Sequence, residues 1–287
     1  MIRLFTVLFL LCFVLVRPAA ALEPINVFVS VLPQKYLVER VGGERVSVSV
    51  MVRPGLSPET YEPTPKQMAA LEKTRLYFRI AVPFESVWIE RLQSINRSMQ
   101  VVSCCGSIKM REPDIHDHGG NHEQRINDAH VWTSPKNAIV LAGLIRQALV
   151  ETDPEHADYY SGNYSRLVSE LEALHAEIKR ELADLPHRYL IVSHPAWGYF
   201  AEEYDLMQIP IEQNGSEIRA RELARLIQLA RRENIKTVFV QKQFNPASAR
   251  ILAREINARI VELDPLAGNY IENLRRVTRA IKQGAAA

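Results

Sequence analysis

The chain has 287 residues, 47% of them hydrophobic, with 35 Lys and Arg against 33 Asp and Glu. That length accommodates two domains, the apolar fraction excludes a disordered chain, and three cysteines are too few for a disulfide scaffold. The formal charge of +2 resides in the first 21 residues, which hold Arg3, Arg17 and no acid. From Leu22 onward the charges cancel, which gives no support to nucleic-acid binding or to adhesion to an anionic membrane.

The first segment explains its own charge. Arg3 precedes an apolar run from residue 4 to 16, broken by Thr6, and Ala19, Ala20 and Ala21 follow. This order of basic, apolar and small residues is that of a secretory signal cleaved after Ala21. The run falls short of the roughly 20 apolar residues of a membrane span. Cys12 lies inside it and not at its end, which argues against a lipid anchor. The mature chain is therefore expected in the periplasm, soluble, with no stable membrane insertion.

In chain order, β-branched runs at 25–32, 46–52 and 75–80 read as strands, with helix-period stretches at 65–73 and 86–95. The pattern returns in the second half, with strands at 189–193, 237–241 and 259–263 and helices at 219–233 and 246–257. Alternating strands and helices predict parallel sheets of the α/β class. Between the halves, a helix at 135–151 leads to an uninterrupted helical pattern from Asp153 to Leu185. Apolar residues there recur every three or four positions, with Asp153 as N-cap, Pro154 in the first turn and Pro186 as the stop. Such a helix is about 45 Å long. The expected architecture is thus an N-terminal α/β lobe (22–152), a long rigid connecting helix (153–185) and a C-terminal α/β lobe (186–287).

Two further features stand out. Residues 111–127 are polar and carry His116, His118 and His122, which reads either as a solvated loop or as a weak metal-collecting tract. Cys104 and Cys105 are adjacent and read as buried thiols, with a vicinal disulfide or a bond to another chain as alternatives.

The glycine-rich dinucleotide turn, the phosphate-binding loop, the G-x-S-x-G elbow and H-E-x-x-H are all absent from the sequence. The positive signal is positional. Ligands of open α/β sheets gather at the carboxyl ends of strands, and four metal-competent side chains follow predicted strands or open helices. These are Glu59 in G-L-S-P-E-T-Y-E-P, His130 in D-A-H-V-W-T-S-P, His194 in V-S-H-P-A-W-G-Y-F and Asp264 in E-L-D-P-L-A. Two come from each half, as a site between lobes requires. Two imidazoles and two carboxylates suit a divalent cation, because the carboxylates offset its charge on burial.

These segments, with V-F-V-Q-K-Q-F, resemble in the same order the periplasmic solute-binding proteins of zinc- and manganese-importing ABC transporters, the cluster A-I family. The resemblance implies two lobes on a rigid helix and a monomeric receptor. The receptor would capture a divalent metal ion and deliver it to an ABC transporter membrane permease, without catalysis. It makes His130, His194 and Asp264 the second, third and fourth metal ligands. The first is a histidine in the family pattern, and Glu59 stands in its place, either binding directly or leaving a water there. Trp132, Trp197 and Tyr199 would pack the cleft walls. His194 and the histidine tract favour Zn2+, whereas two nitrogens with two carboxylates also fit Mn2+ or iron. A zinc hydrolase with Glu59 as general base is the alternative from another functional class.

Overall fold

In the computed structural model the described residues are 23–112, 127–213, 216–217 and 219–286, so the leader segment and the three histidines of the polar tract lie outside them. The first half builds a four-stranded, wholly parallel sheet from β1 (Ile25–Val29), β2 (Val46–Val50), β3 (Leu76–Arg79) and β4 (Gln100–Ser103), in the order β2-β1-β3-β4. Its helices are α1 (Leu32–Gly42), α2 (Pro65–Leu71), α3 (Pro83–Ile95) and α4 (Pro135–Thr152). After α5 (Ala157–Glu181), the second half adds β5 (Tyr189–Val192), α6 (Gly198–Glu203), β6 (Met207–Pro210) and the two-residue pair β7 (Glu212–Gln213) and β8 (Ser216–Glu217). It closes with α7 (Ala220–Arg232), β9 (Thr237–Val240), α8 (Ala247–Glu255), β10 (Arg259–Glu262) and α9 (Tyr270–Ala285). Its main sheet is again parallel, in the order β10-β9-β5-β6. The expected α/β class with two parallel sheets and one long helix is what the structure has.

The run at 25–32 divides in two. β1 stops at Val29 and α1 begins at Leu32, because Pro33 in the first turn and Leu37, Val38 and Val41 on one buried face favour a helix there. β4 and β6 went unread for different reasons. β4 is only partly buried, and β6 ends in Pro210, which a sheet tolerates at its edge, where β6 lies.

The connecting helix is shorter than expected at both ends. Asp153 does not cap it: its carboxylate accepts from Tyr160 Oη at 2.6 Å and pairs with His156 Nδ1 at 2.8 Å. That pull tightens residues 154–156 into a 3-10 turn before α5 starts at Ala157. At the far end Arg188 donates to the carbonyls of Leu182 and Ala183, at 2.8 and 2.6 Å, and the helix stops at Glu181. Twenty-five residues give a rod of about 38 Å.

One face of α5 (Tyr160, Asn163, Leu167, Leu171, Leu174, Ile178) is buried. Arg40 of α1 forks onto Glu170 at 2.6 and 2.9 Å, and α9 reaches α5 through Arg275–Glu177 and Lys282–Glu181 at 3.0 and 2.7 Å. The rod therefore touches both halves. One hydrophobic core runs from β1 through α4 and α5 to Leu274, Val277 and Ile281 of α9, and a smaller one lies under α7 and α8. Across the seam, Trp132 Nε1 donates to the Pro265 carbonyl at 2.8 Å, and Tyr270 Oη donates to the Trp132 carbonyl at 2.6 Å.

Candidate metal site

Among the described residues, one group of side chains of metal-binding type comes together. Glu59, His130 and His194 each offer a donor atom within 4.8 Å of the other two. Glu59 and His194 lie beyond the carboxyl ends of parallel strands β2 and β5, where backbone ladders end and loops are free to carry chemistry, and His130 stands just before a 3-10 turn that leads into α4.

Glu59 follows β2 in a loop tied down at several points. Leu56 N donates to the Arg53 carbonyl, Glu59 N to Ser57 Oγ at 3.1 Å, and Phe84 N of α3 to the Pro58 carbonyl at 3.2 Å. The head of α3 is itself anchored by the buried Glu85, which accepts from the amides of Ile80 and Ala81 and from the Ser30 hydroxyl. The Glu59 side chain remains one-third exposed.

His130 precedes a 3-10 turn (Val131–Thr133) and is held by Asp128, whose Oδ1 accepts the His130 amide at 2.9 Å and meets Nδ1 at 2.8 Å. The other ring nitrogen, Nε2, is thereby left to face the cleft. Asp128 is braced in turn by Arg111 at 3.2 Å, while Tyr199 Oη donates to the Asp128 carbonyl at 2.9 Å. Burial works against the Asp128 anion, but the His130 hydrogen bond and the neighbouring positive charge hold its pKa below the usual value. Burial likewise disfavours the His130 cation, yet Asp128 and the more distant Glu59 outweigh it and raise that pKa. A side chain at Gly198 would meet the Arg111 guanidinium and the Asp128 carboxylate and push that pair aside.

His194 comes two residues after β5. Ser193 N donates to the Phe239 carbonyl, Gln241 Nε2 donates to the His194 carbonyl at 3.3 Å, and Phe244 stacks on the imidazole with ring centres 4.1 Å apart. Nε2 faces Glu59 Oε1 at 3.8 Å. On the other side Nδ1 is buried without a hydrogen bond, 3.6 Å from Glu212 Oε1.

The donor set fits a divalent cation. Tetrahedral zinc with bonds near 2.0–2.1 Å spaces its donors about 3.3 Å apart, so the three need to contract by roughly an ångström. Asp128, hydrogen-bonded to His130, is a carboxylate of the kind that orients a metal-bound imidazole, whereas Glu212 stands behind His194 at 3.6 Å without a hydrogen bond. Asp264, from the loop after β10, does not join the three at this spacing. Its Oδ1 accepts from Leu266 N at 2.9 Å and from Gln243 Nε2 at 3.4 Å. It lines an adjoining cavity of about 310 Å³, whose walls include Arg53, Gly55, Gln243 and Arg276.

Of the three aromatics expected to pack the cleft walls, Trp132 and Trp197 are fully buried and Tyr199 nearly so. Asp128, Glu212, Phe244 and Gly198 went unread as contributors to the site. The Asp two residues before His130 was the legible signal; Glu212 of β7 and Phe244 of the loop after β9 needed the tertiary structure. Cys104 and Cys105 are free thiols away from the three donors, the first buried and the second partly so.

The model of the family described as zinc-uptake complex component A, periplasmic (ZnuA), matches residues 27–284. A protein of Chlamydia trachomatis serovar D named for metal binding is 31% identical over 257 residues, covering 89% of this chain and 90% of its own. The iron-binding protein YfeA of Yersinia pestis is 27% identical over 267 residues, covering 86% and 82%. The crystal structure of ZnuA is 38% identical and superposes with a TM-score of 0.86, over 92% of this chain and 100% of that one.

Proposed function

Because the chain belongs to the zinc-uptake complex component A family, we propose that it is a periplasmic receptor that captures Zn2+ between its lobes and hands it to an ABC transporter membrane permease. The observation that carries this reading is the convergence of the Glu59, His130 and His194 donors from both halves of the chain. The ion is cargo: the protein holds and releases it and catalyses no reaction. Residues 1–21 act as the export signal, and the mature chain works as a monomer with lobes at 22–152 and 186–287.

Glu59, His130 and His194 ligate directly, and Asp264 turns in from the cavity wall as the fourth ligand. Rotation about its side-chain bonds exchanges the Leu266 amide for the cation. Two imidazoles in a compact set support zinc. Glu59 where the family pattern has histidine, together with a relative named for iron, supports Mn2+ or iron as the second reading.

Untagged protein analysed for bound metal, then titrated calorimetrically with Zn2+ and Mn2+, decides both points. The expected result is one Zn2+ per chain, held more tightly than Mn2+. A chain that binds neither ion overturns the reading.

A further inference from the structure

Resting on the receptor reading above, we propose that the interlobe cavity is a subsite for a small hydroxycarboxylate carried on the metal, so that cargo is accepted as a chelate as well as a bare ion. The cavity is lined by the same loops that carry or support two of the three donors, although the donors themselves are not among its lining residues. The loop that ends in Glu59 supplies Arg53 and Gly55, and the loop that stacks Phe244 on His194 supplies Gln243. Asp264 stands at the boundary between them.

The lining has three features that select a ligand. The Arg53 guanidinium makes no hydrogen bond or ion pair with any described residue, although it is a five-donor cation at a cavity wall. Arg276 faces the same space and uses one Nη on Asn273 Oδ1 at 2.5 Å. Gln243 Oε1 is buried and accepts nothing, while the amide nitrogen of the same side chain is turned to Asp264. Two guanidinium forks match carboxylates, and an unmet amide oxygen matches a hydroxyl donor. A volume of about 310 Å³ is at the small end of ligand sites and admits a compact di- or tricarboxylate.

The chemistry on the metal side agrees. Three protein donors leave at least one position of a tetrahedral ion open. When the ion arrives chelated, Glu59, His130 and His194 displace all but one of the chelator's donors and one carboxylate keeps the fourth position; Asp264 takes that position when the ion arrives bare. The chelator's remaining carboxylates extend toward Arg53 and Arg276.

Equilibrium dialysis of the mature chain with radiolabelled citrate, with and without one equivalent of Zn2+, tests this. The expected result is about one citrate retained per zinc-loaded chain and little by the metal-free chain. The double variant Arg53→Gln, Arg276→Gln should weaken citrate retention by about tenfold, from the loss of two charge-assisted contacts. Its zinc affinity in citrate-free buffer should be unchanged.

If the zinc-loaded chain retains no citrate, or the double variant retains as much as the wild type, the subsite is refuted while the receptor reading stands. Equal retention without metal refutes the chelate and leaves a free-carboxylate pocket. Absence of zinc binding in citrate-free buffer overturns the receptor reading and this inference with it.

Discussion

One oxygen of Asp128 holds both the backbone and the ring of His130, at 2.9 Å from the amide and 2.8 Å from Nδ1. That double contact fixes the imidazole plane and its tautomer, so Nε2 is presented to Glu59 and His194 before any ion arrives. The carboxylate is a positioning group, and its cost is electrostatic: it stabilises the protonated ring with which a cation must compete.

Asp128→Asn should therefore have two effects of different sign. At neutral pH, Zn2+ affinity should fall about 10- to 100-fold through lost orientation. Under acid conditions the variant should lose proportionately less. The wild-type His130 pKa is raised, so protons displace metal from a higher pH than they do once Asp128 is neutral. Calorimetric titrations from pH 8 to pH 5 check both; an unchanged acid profile would disprove the assignment of Asp128.

His130→Ala and His194→Ala, made singly, should each reduce Zn2+ affinity by at least about 100-fold, since each removes one of few donors in a low-coordination site. Glu59→Ala and Asp264→Ala should cost less, because water can replace an oxygen ligand. A competition assay with a chromophoric chelator measures all four. Should Asp264→Ala bind as the wild type does, the fourth position belongs to water.

Gly198→Ala should act on metal binding from outside the site. The added methyl displaces Arg111 from Asp128, so Zn2+ affinity should drop in the direction of Asp128→Asn with little loss of fold. Circular dichroism beside a zinc titration separates the two effects.

Cys105 should resist alkylation in the folded protein. Burial, with Glu85 nearby, pushes its thiol up to about 11, so roughly one molecule in a thousand is thiolate at pH 8. Burial places Cys104 higher still. Iodoacetamide at pH 8 should label neither thiol in a chain beginning at Leu22, and both in urea. Rapid native labelling of Cys105 would contradict the geometry.

Leu171→Ala, in the buried face of α5, should destabilise the protein by about 2–5 kcal/mol in urea unfolding. Zinc affinity of the folded fraction should hardly change, because α5 supplies no donor.

How far the sequence carried the structure depended on how local each signal was. The strands at 46–50, 189–192, 237–240 and 259–262 were legible because β-branched runs sit between turn and helix signals. Their carboxyl ends then pointed to Glu59, His194 and Asp264. His130 was legible from its neighbours and from the family resemblance, as it lies far beyond β4 in sequence. β4 and β6 were not legible, since a half-exposed strand and a strand ending in proline carry little periodic signal. The exact span of α5 was hidden because Tyr160 and Arg188, which end the helix, act through side chains and not through propensity. Asp264 shows the same limit: its position in the chain was plain, but its engagement with the Leu266 amide was not.

The bond from Trp132 to the Pro265 carbonyl joins residues 133 positions apart. Synthesis proceeds from the amino end, so a growing chain carries Glu59 and His130 long before the wall behind His130 exists. His194 follows 64 residues after His130, yet the seam closes only when Pro265 and Tyr270 have emerged. An unfinished chain therefore holds its three donors without the contacts that close the seam, and the site is complete only when nearly the whole polypeptide is present.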